Sequence, residues 1–137
     1  MARKSDYLDH LARVPLFSRC SRDELKRLAQ RTTDIRAEPG QVLVRERQGA
    51  YEFFVIVDGQ AEVTRHGRTV AKLERGDFFG EIALLDRSRR DATVTALSPM
   101  ELIVLTDFEA ALDDAPHLAR RLLAGMARRL RALDEAS

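Results

Sequence analysis

The chain has 137 residues and a mass of 15.5 kDa, enough for one apolar core without disulfide or metal staples. Hydrophobic residues at 45% and charged residues at 33% exclude a disordered composition. The balance of 23 basic against 22 acidic residues excludes the broad basic footprint of a nucleic-acid binder, so any anion site must be a local pocket. No apolar run approaches the ~20 residues of a membrane span. The opening Met-Ala-Arg-Lys-Ser-Asp-Tyr has no apolar stretch of a secretory signal. The expectation is a cytoplasmic protein with no membrane partner. Cys20 is the single cysteine, which rules out an internal disulfide and a cysteine-only metal site.

In chain order, residues 1–34 read as helical. Tyr7, Leu8 and Leu11 recur near helical spacing until Val14-Pro15 ends the run. Ser21-Arg22-Asp23-Glu24 has the form of a capping box, with Leu25 and Leu28 on one face of the helix it opens. Pro39-Gly40 marks a change of pattern, and residues 35–105 read as a β domain. Its strands are expected at 41–45, 53–57, 61–64, 69–73, 92–97 and 102–105, with Asp58-Gly59 and His66-Gly67 as turns. Short strands at about ten-residue spacing suggest a barrel or jelly roll. Good helix formers interrupt the pattern at 80–86, which predicts a short inserted helix. Phe78-Phe79 is read as core packing. Residues 106–135 return to helix: Thr106-Asp107-Phe108-Glu109 reads as a second capping box, and Pro116 suits the first turn of a final helix running to about Asp134. Leu118, Leu122, Met126, Leu130 and Leu133 make one apolar stripe along that helix. His10, His66 and His117 lie far apart and read as surface residues, so no metal site is expected.

The segment with chemical content is Gly80-Glu81-Ile82-Ala83-Leu84-Leu85, then Asp86-Arg87-Ser88-Arg89, then Arg90-Asp91-Ala92-Thr93-Val94. The first N–H groups of a short helix lack intrahelical partners and attract an anion. A glycine there lets a ligand approach the backbone closely. An arginine on the returning strand can offer its planar fork to two phosphate oxygens. Glu81 would repel a bare phosphate, but it suits a ligand that also carries a hydroxyl, because an ionised carboxylate only accepts hydrogen bonds. A phosphate joined to a ribose 2′-OH meets that description.

Gly-Glu-Ile-Ala-Leu-Leu, four residues, Arg, one residue, Ala-Thr-Val resembles the phosphate-binding cassette of the cyclic nucleotide-binding domain family, which includes the catabolite activator protein and protein kinase A regulatory subunits. The resemblance extends over nearly the whole chain, through Val14-Pro15-Leu16-Phe17, Pro39-Gly40, Phe53 to Gly59 and Gly76-Asp77-Phe78-Phe79. It implies a mainly β fold, a β-roll or jelly roll of about eight strands with flanking helices, an inserted phosphate-binding helix and a C-terminal lid helix. It also implies that Glu81 binds the ribose 2′-OH and Arg90 the cyclic phosphate. Backbone N–H groups at Gly80, Ile82, Ala83 and Ala92 would complete the cradle, and Val70, Ala71 and Val94 would line its apolar part. The ligand would be cAMP or cGMP, and the domain a sensor rather than an enzyme.

Three positions depart from the family pattern. Arg89 stands where many members have proline, Arg47 where a glycine is common, and Asp91 where alanine, serine or threonine is usual. Strand alternation turns Asp91 away from Arg90, Ala92 and Val94. Turned inward instead, Asp91 could accept a hydrogen bond from the amino group of a guanine base. A domain that has lost nucleotide binding and acts as an interaction module is the alternative reading. A metal-dependent oxygenase is disfavoured, since no His-x-His or Glu-x-x-His spacing occurs. The chain has no room after the final helix for a helix-turn-helix, so direct DNA binding is not expected. The partners expected are the nucleotide and either a second copy, through the C-terminal helix, or a separate effector.

Overall fold

The computed structural model describes residues 4–136, with the side chains of Lys4, Ser5 and Ala136 outside that description. Two compact units divide them: Arg31–Glu109, and a helical unit built from the residues before and after it.

The first unit holds eight strands in two four-stranded antiparallel sheets. The strands are β1 (Thr32–Ala37), β2 (Val42–Val44), β3 (Phe53–Asp58), β4 (Ala61–Arg65), β5 (Arg68–Leu73), β6 (Phe78–Phe79), β7 (Thr93–Ala96) and β8 (Met100–Leu105). One sheet has the order β1-β8-β3-β6 and the other β2-β7-β4-β5, which is the expected roll. Alternation explains the core: Phe54 and Ile56 on β3 and Met100, Leu102 and Val104 on β8 meet Val44, Ala61, Val94 and Ala96 from the other sheet. The unbroken apolar run of β3 is explained as well, because Phe53 and Val55 on its other face are also fully buried. Phe54 and Phe79 stack with ring centroids 4.7 Å apart, and Phe53 lies 5.0 Å from Phe108, so the phenylalanines are core as expected. Burying one such ring contributes roughly 1.5–3 kcal/mol.

The turns follow their residue chemistry. Gly59, at φ +97, closes the β3–β4 hairpin where a Cβ would lie 2.4 Å from the Pro99 carbonyl oxygen, so only glycine fits. His66 and Gly67 both take positive φ in the two-residue β4–β5 turn.

The roll begins three residues earlier than expected. The first three residues of β1, Thr32 to Asp34, fall in the segment expected to be helical. Its pairing with β8, from Thr32 opposite Leu105 to Ala37 opposite Met100, makes it a strand. The two-residue β6 is likewise created by its partner, β3. The inserted helix, α3, is Glu81–Leu85, within the expected range.

The helical unit contains α1 (Lys4–Ala12), a single 3-10 turn (Pro15–Phe17), α2 (Arg22–Ala29) and α5 (Pro116–Ala136), and α4 (Phe108–Asp114) leads into it. Ser21 caps α2 as expected: its hydroxyl accepts from Glu24 N at 3.1 Å, and the Glu24 carboxylate accepts from Ser21 N at 2.8 Å. The second expected box does not take that form. Asp107, at φ +49, is left-handed where a box opened by Thr106 needs its first helical residue, so α4 starts at Phe108. The Thr106 hydroxyl instead donates to the Arg31 carbonyl. Leu118 and Leu122 of the α5 stripe are buried, Met126 is half-buried, and Leu130 and Leu133 are exposed.

Candidate nucleotide-binding site

β6 delivers Gly80 to the start of α3, and the segment after α3 returns Arg90 to the same place. Gly80 caps the helix at φ +99, a conformation that L side chains rarely adopt. A Cβ there would sit 2.9 Å from Arg90 Nη1 and 3.0 Å from the Glu52 carbonyl oxygen. The turn after α3 is held by Asp86, whose carboxylate accepts from the backbone N–H of Ser88 at 3.0 Å.

Arg90 is 7% exposed, an unusual degree of burial for a permanent cation. Nη1 donates to the Gly80 carbonyl at 2.7 Å, and Nη2 donates to the Glu52 carbonyl at 2.5 Å. The Arg90 main chain is pinned as well: its N–H donates to Gln48 O at 2.9 Å, and its carbonyl accepts from Arg47 N at 2.7 Å. Burial holds the Arg90 pKa below its ordinary value, against the opposing influence of Glu52, Glu81 and Asp91. A buried cation is therefore anchored at both backbone and side chain beside the opening turn of a short helix.

The other expected site residues fall as follows. Glu81 is the first residue of α3 and is 3% exposed. Ile82 follows it half in solvent, and Ala83 is buried. Ala92 is half-buried just before β7, and Val94 on β7 belongs to the core between the sheets. Ala71 is exposed on β5 opposite Val63. The register skips Val70, which makes it the extra residue of a bulge, and it is 52% exposed. The Asp91 carboxylate forms an ion pair with Arg65 on β4 at 3.3 Å, so its charge is compensated within the roll.

In the loop between β2 and β3 the sequence singles out Arg47 alone, and as a departure from the family pattern rather than as a site residue. Gln48 and Glu52 hold Arg90 through main-chain carbonyls, which leave no side-chain signature.

His117 is a structural partner of Glu24 rather than a metal ligand: its ring Nδ1 lies 2.6 Å from the Glu24 carboxylate. Burial pushes the pKa of the half-buried Cys20 thiol up to about 11, which fits its reading as an unreactive residue.

A glycine-capped short helix beside a buried arginine on an eight-stranded roll has the chemistry of an anion-binding module. Comparison with known proteins gives it a family: residues 34–114 match the model of the cyclic nucleotide-binding domain, and the chain belongs to that family. It is 38% identical over 105 residues to a cAMP-dependent protein kinase regulatory subunit of Yarrowia lipolytica, covering 75% of this chain and 28% of that protein. It is 31% identical over 116 residues to the cGMP-dependent protein kinase egl-4 of Caenorhabditis elegans, covering 80% and 15%. Among solved structures, a cAMP-binding acyltransferase from Mycobacterium smegmatis superposes with a TM-score of 0.79 at 32% identity, covering 91% of this chain and 41% of that one. The Thermus thermophilus catabolite activator protein superposes with a TM-score of 0.76 at 29% identity, covering 89% and 61%. The chain thus spans less than a third of the curated relatives it matches. No described helix is long and apolar enough to cross a membrane.

Proposed function

We propose that this chain is a regulatory module that binds cAMP or cGMP and passes the signal on through its C-terminal helix. The observation that carries this is the buried Arg90 guanidinium, which reaches back to the carbonyl of the residue that opens α3. A cyclic phosphate seated there takes the guanidinium fork on one side and the N–H groups of Gly80, Ile82, Ala83 and Ala92 on the other. Glu81 accepts from the ribose 2′-OH. Ala71 and the bulge residue Val70 supply apolar contact, and Val94 supports it from the core. The ligand acts as a switch to the extent that it favours one arrangement of the helices over another.

The compensation of Asp91 by Arg65 supports nucleotide binding over a degenerate module, because the carboxylate no longer opposes the phosphate alone. The family match supports a binding role rather than catalysis. The apolar residues left exposed on α5, Leu123, Leu130 and Leu133, suit a contact with a second copy or a separate effector.

Calorimetry with cAMP and cGMP tests the reading. Arg90→Lys keeps the charge and loses the fork, and the affinity is expected to fall roughly 10- to 100-fold, in line with the 1.5–3 kcal/mol of a charge-assisted contact. No heat from either nucleotide with the unaltered chain would refute it.

A further inference from the structure

We propose that the roll carries a second anion site, on the loop side of Arg90, for a small molecule bearing a phosphate or diphosphate group. A cavity of about 490 Å³ opens there, lined by residues of the β2–β3 segment between Leu43 and Phe54, Glu46 not among them, together with Arg89 and Arg90. That volume lies within the range of small-molecule sites. Of the nine residues assigned to the nucleotide, Arg90 alone lines it. The two sites thus share Arg90 and no other residue.

Three observations point to an anion. Four arginines line it, Arg45, Arg47, Arg89 and Arg90, against one acidic residue, Glu52; Arg89 and Arg90 also donate to main-chain carbonyls. A single carboxylate ligand would leave most of that charge uncompensated, whereas a diphosphate balances it and suits the bidentate geometry of guanidinium.

The second observation concerns neighbouring acids. Four arginines elsewhere are matched: Arg22 with Asp9, Arg31 with Asp107, Arg65 with Asp91 and Arg87 with Glu109. Arg45 and Arg47 join no such pair among the described residues. The adjacent acids are committed: Glu46 accepts from the His66 N–H at 3.0 Å, and Asp91 faces Arg65.

The third is backbone strain. Arg47 sits at φ +69, a conformation glycine adopts freely and a bulky L-residue adopts at a cost. Its carbonyl accepts from Arg89 Nη1 at 3.1 Å and its N–H donates to the Arg90 carbonyl, so the strained turn joins three of the four arginines.

The test is a ¹H–¹⁵N NMR titration of the full chain with inorganic pyrophosphate at constant ionic strength. Saturable shifts are expected within residues 43–52 and at 89–90. Arg47→Gly relieves the turn, so its thermal midpoint should equal or exceed that of the unaltered chain while its pyrophosphate midpoint rises at least tenfold. Arg45→Gln should raise that midpoint severalfold. Linear shifts reproduced by sodium chloride would overturn the proposal. So would saturable shifts that neither variant alters, which would place the phosphate on the cassette. Tighter saturation by a hexaglutamate peptide than by pyrophosphate would overturn it too, in favour of an acidic protein segment.

Discussion

Gly80 and Arg90 depend on each other at the level of single atoms. The guanidinium occupies the space a Cβ at position 80 would need, and the backbone there already lies in the left-handed half of conformational space. Gly80→Ala therefore has two costs: backbone strain of roughly 1–2 kcal/mol and displacement of the buried cation. Both the thermal midpoint and the cAMP affinity are expected to fall, the latter at least tenfold by calorimetry. Asp91 should behave differently, because its carboxylate is 70% exposed and its partner is Arg65. Asp91→Ala is expected to change cAMP affinity by less than about threefold, since exposed pairs are worth ~0–1 kcal/mol. It should also leave the cGMP-to-cAMP ratio unchanged in parallel titrations. A shift in that ratio would revive an inward-facing role at a guanine base.

At the scale of elements, Glu24 ties two helix starts together. Its buried carboxylate accepts from Ser21 N at the start of α2 and from His117 N at 3.1 Å at the start of α5, and it meets the His117 ring. Both helix ends present unpaired N–H groups and partial positive charge, so one anion serves both. Burial alone would raise the carboxyl pKa. The hydrogen bonds from the Ser21 and His117 backbones and side chains outweigh it and bring the pKa from 4.5 down to about 2. A folded-state value below the unfolded one stabilises the native state above pH ~4.5, and that stability disappears as pH falls toward 2. The shift corresponds to about 3 kcal/mol. Glu24→Gln should cost a similar amount at pH 7 and flatten the stability slope between pH 4.5 and 2, as measured by urea unfolding across that range.

For the whole molecule, near-neutral charge means that selectivity rests on local pockets rather than on a long-range field. The far end of α5 leaves apolar residues uncovered. Leu130 and Leu133 are about two-thirds exposed, whereas Leu118 and Leu122 of the same stripe are buried. Replacing both outer leucines by glutamate removes little intrachain packing, so the thermal midpoint should hardly move. Any association that the unaltered chain shows in native mass measurements with each nucleotide should weaken in the variant. An unaltered complex would move the contact surface elsewhere.

Much of this protein is written locally. Glycine turns, the Ser21 box, the β3 run and the Gly80-to-Val94 spacing depend on residue chemistry within a short stretch, and each was legible before any coordinates. The site's key pair was legible too, because a capping glycine and a returning arginine are side-chain choices. What the chain could not announce were features supplied by a distant partner. β1 and β6 are strands because β8 and β3 pair with them; the Asp91 charge is answered by Arg65, far along the chain; Glu24 finds His117 across most of the sequence. The carbonyls of Gln48 and Glu52 that hold Arg90 belong to the main chain, which every residue type shares. Local propensity and motif spacing are properties of sequence, but pairing, compensation and backbone anchoring exist only once tertiary contacts form.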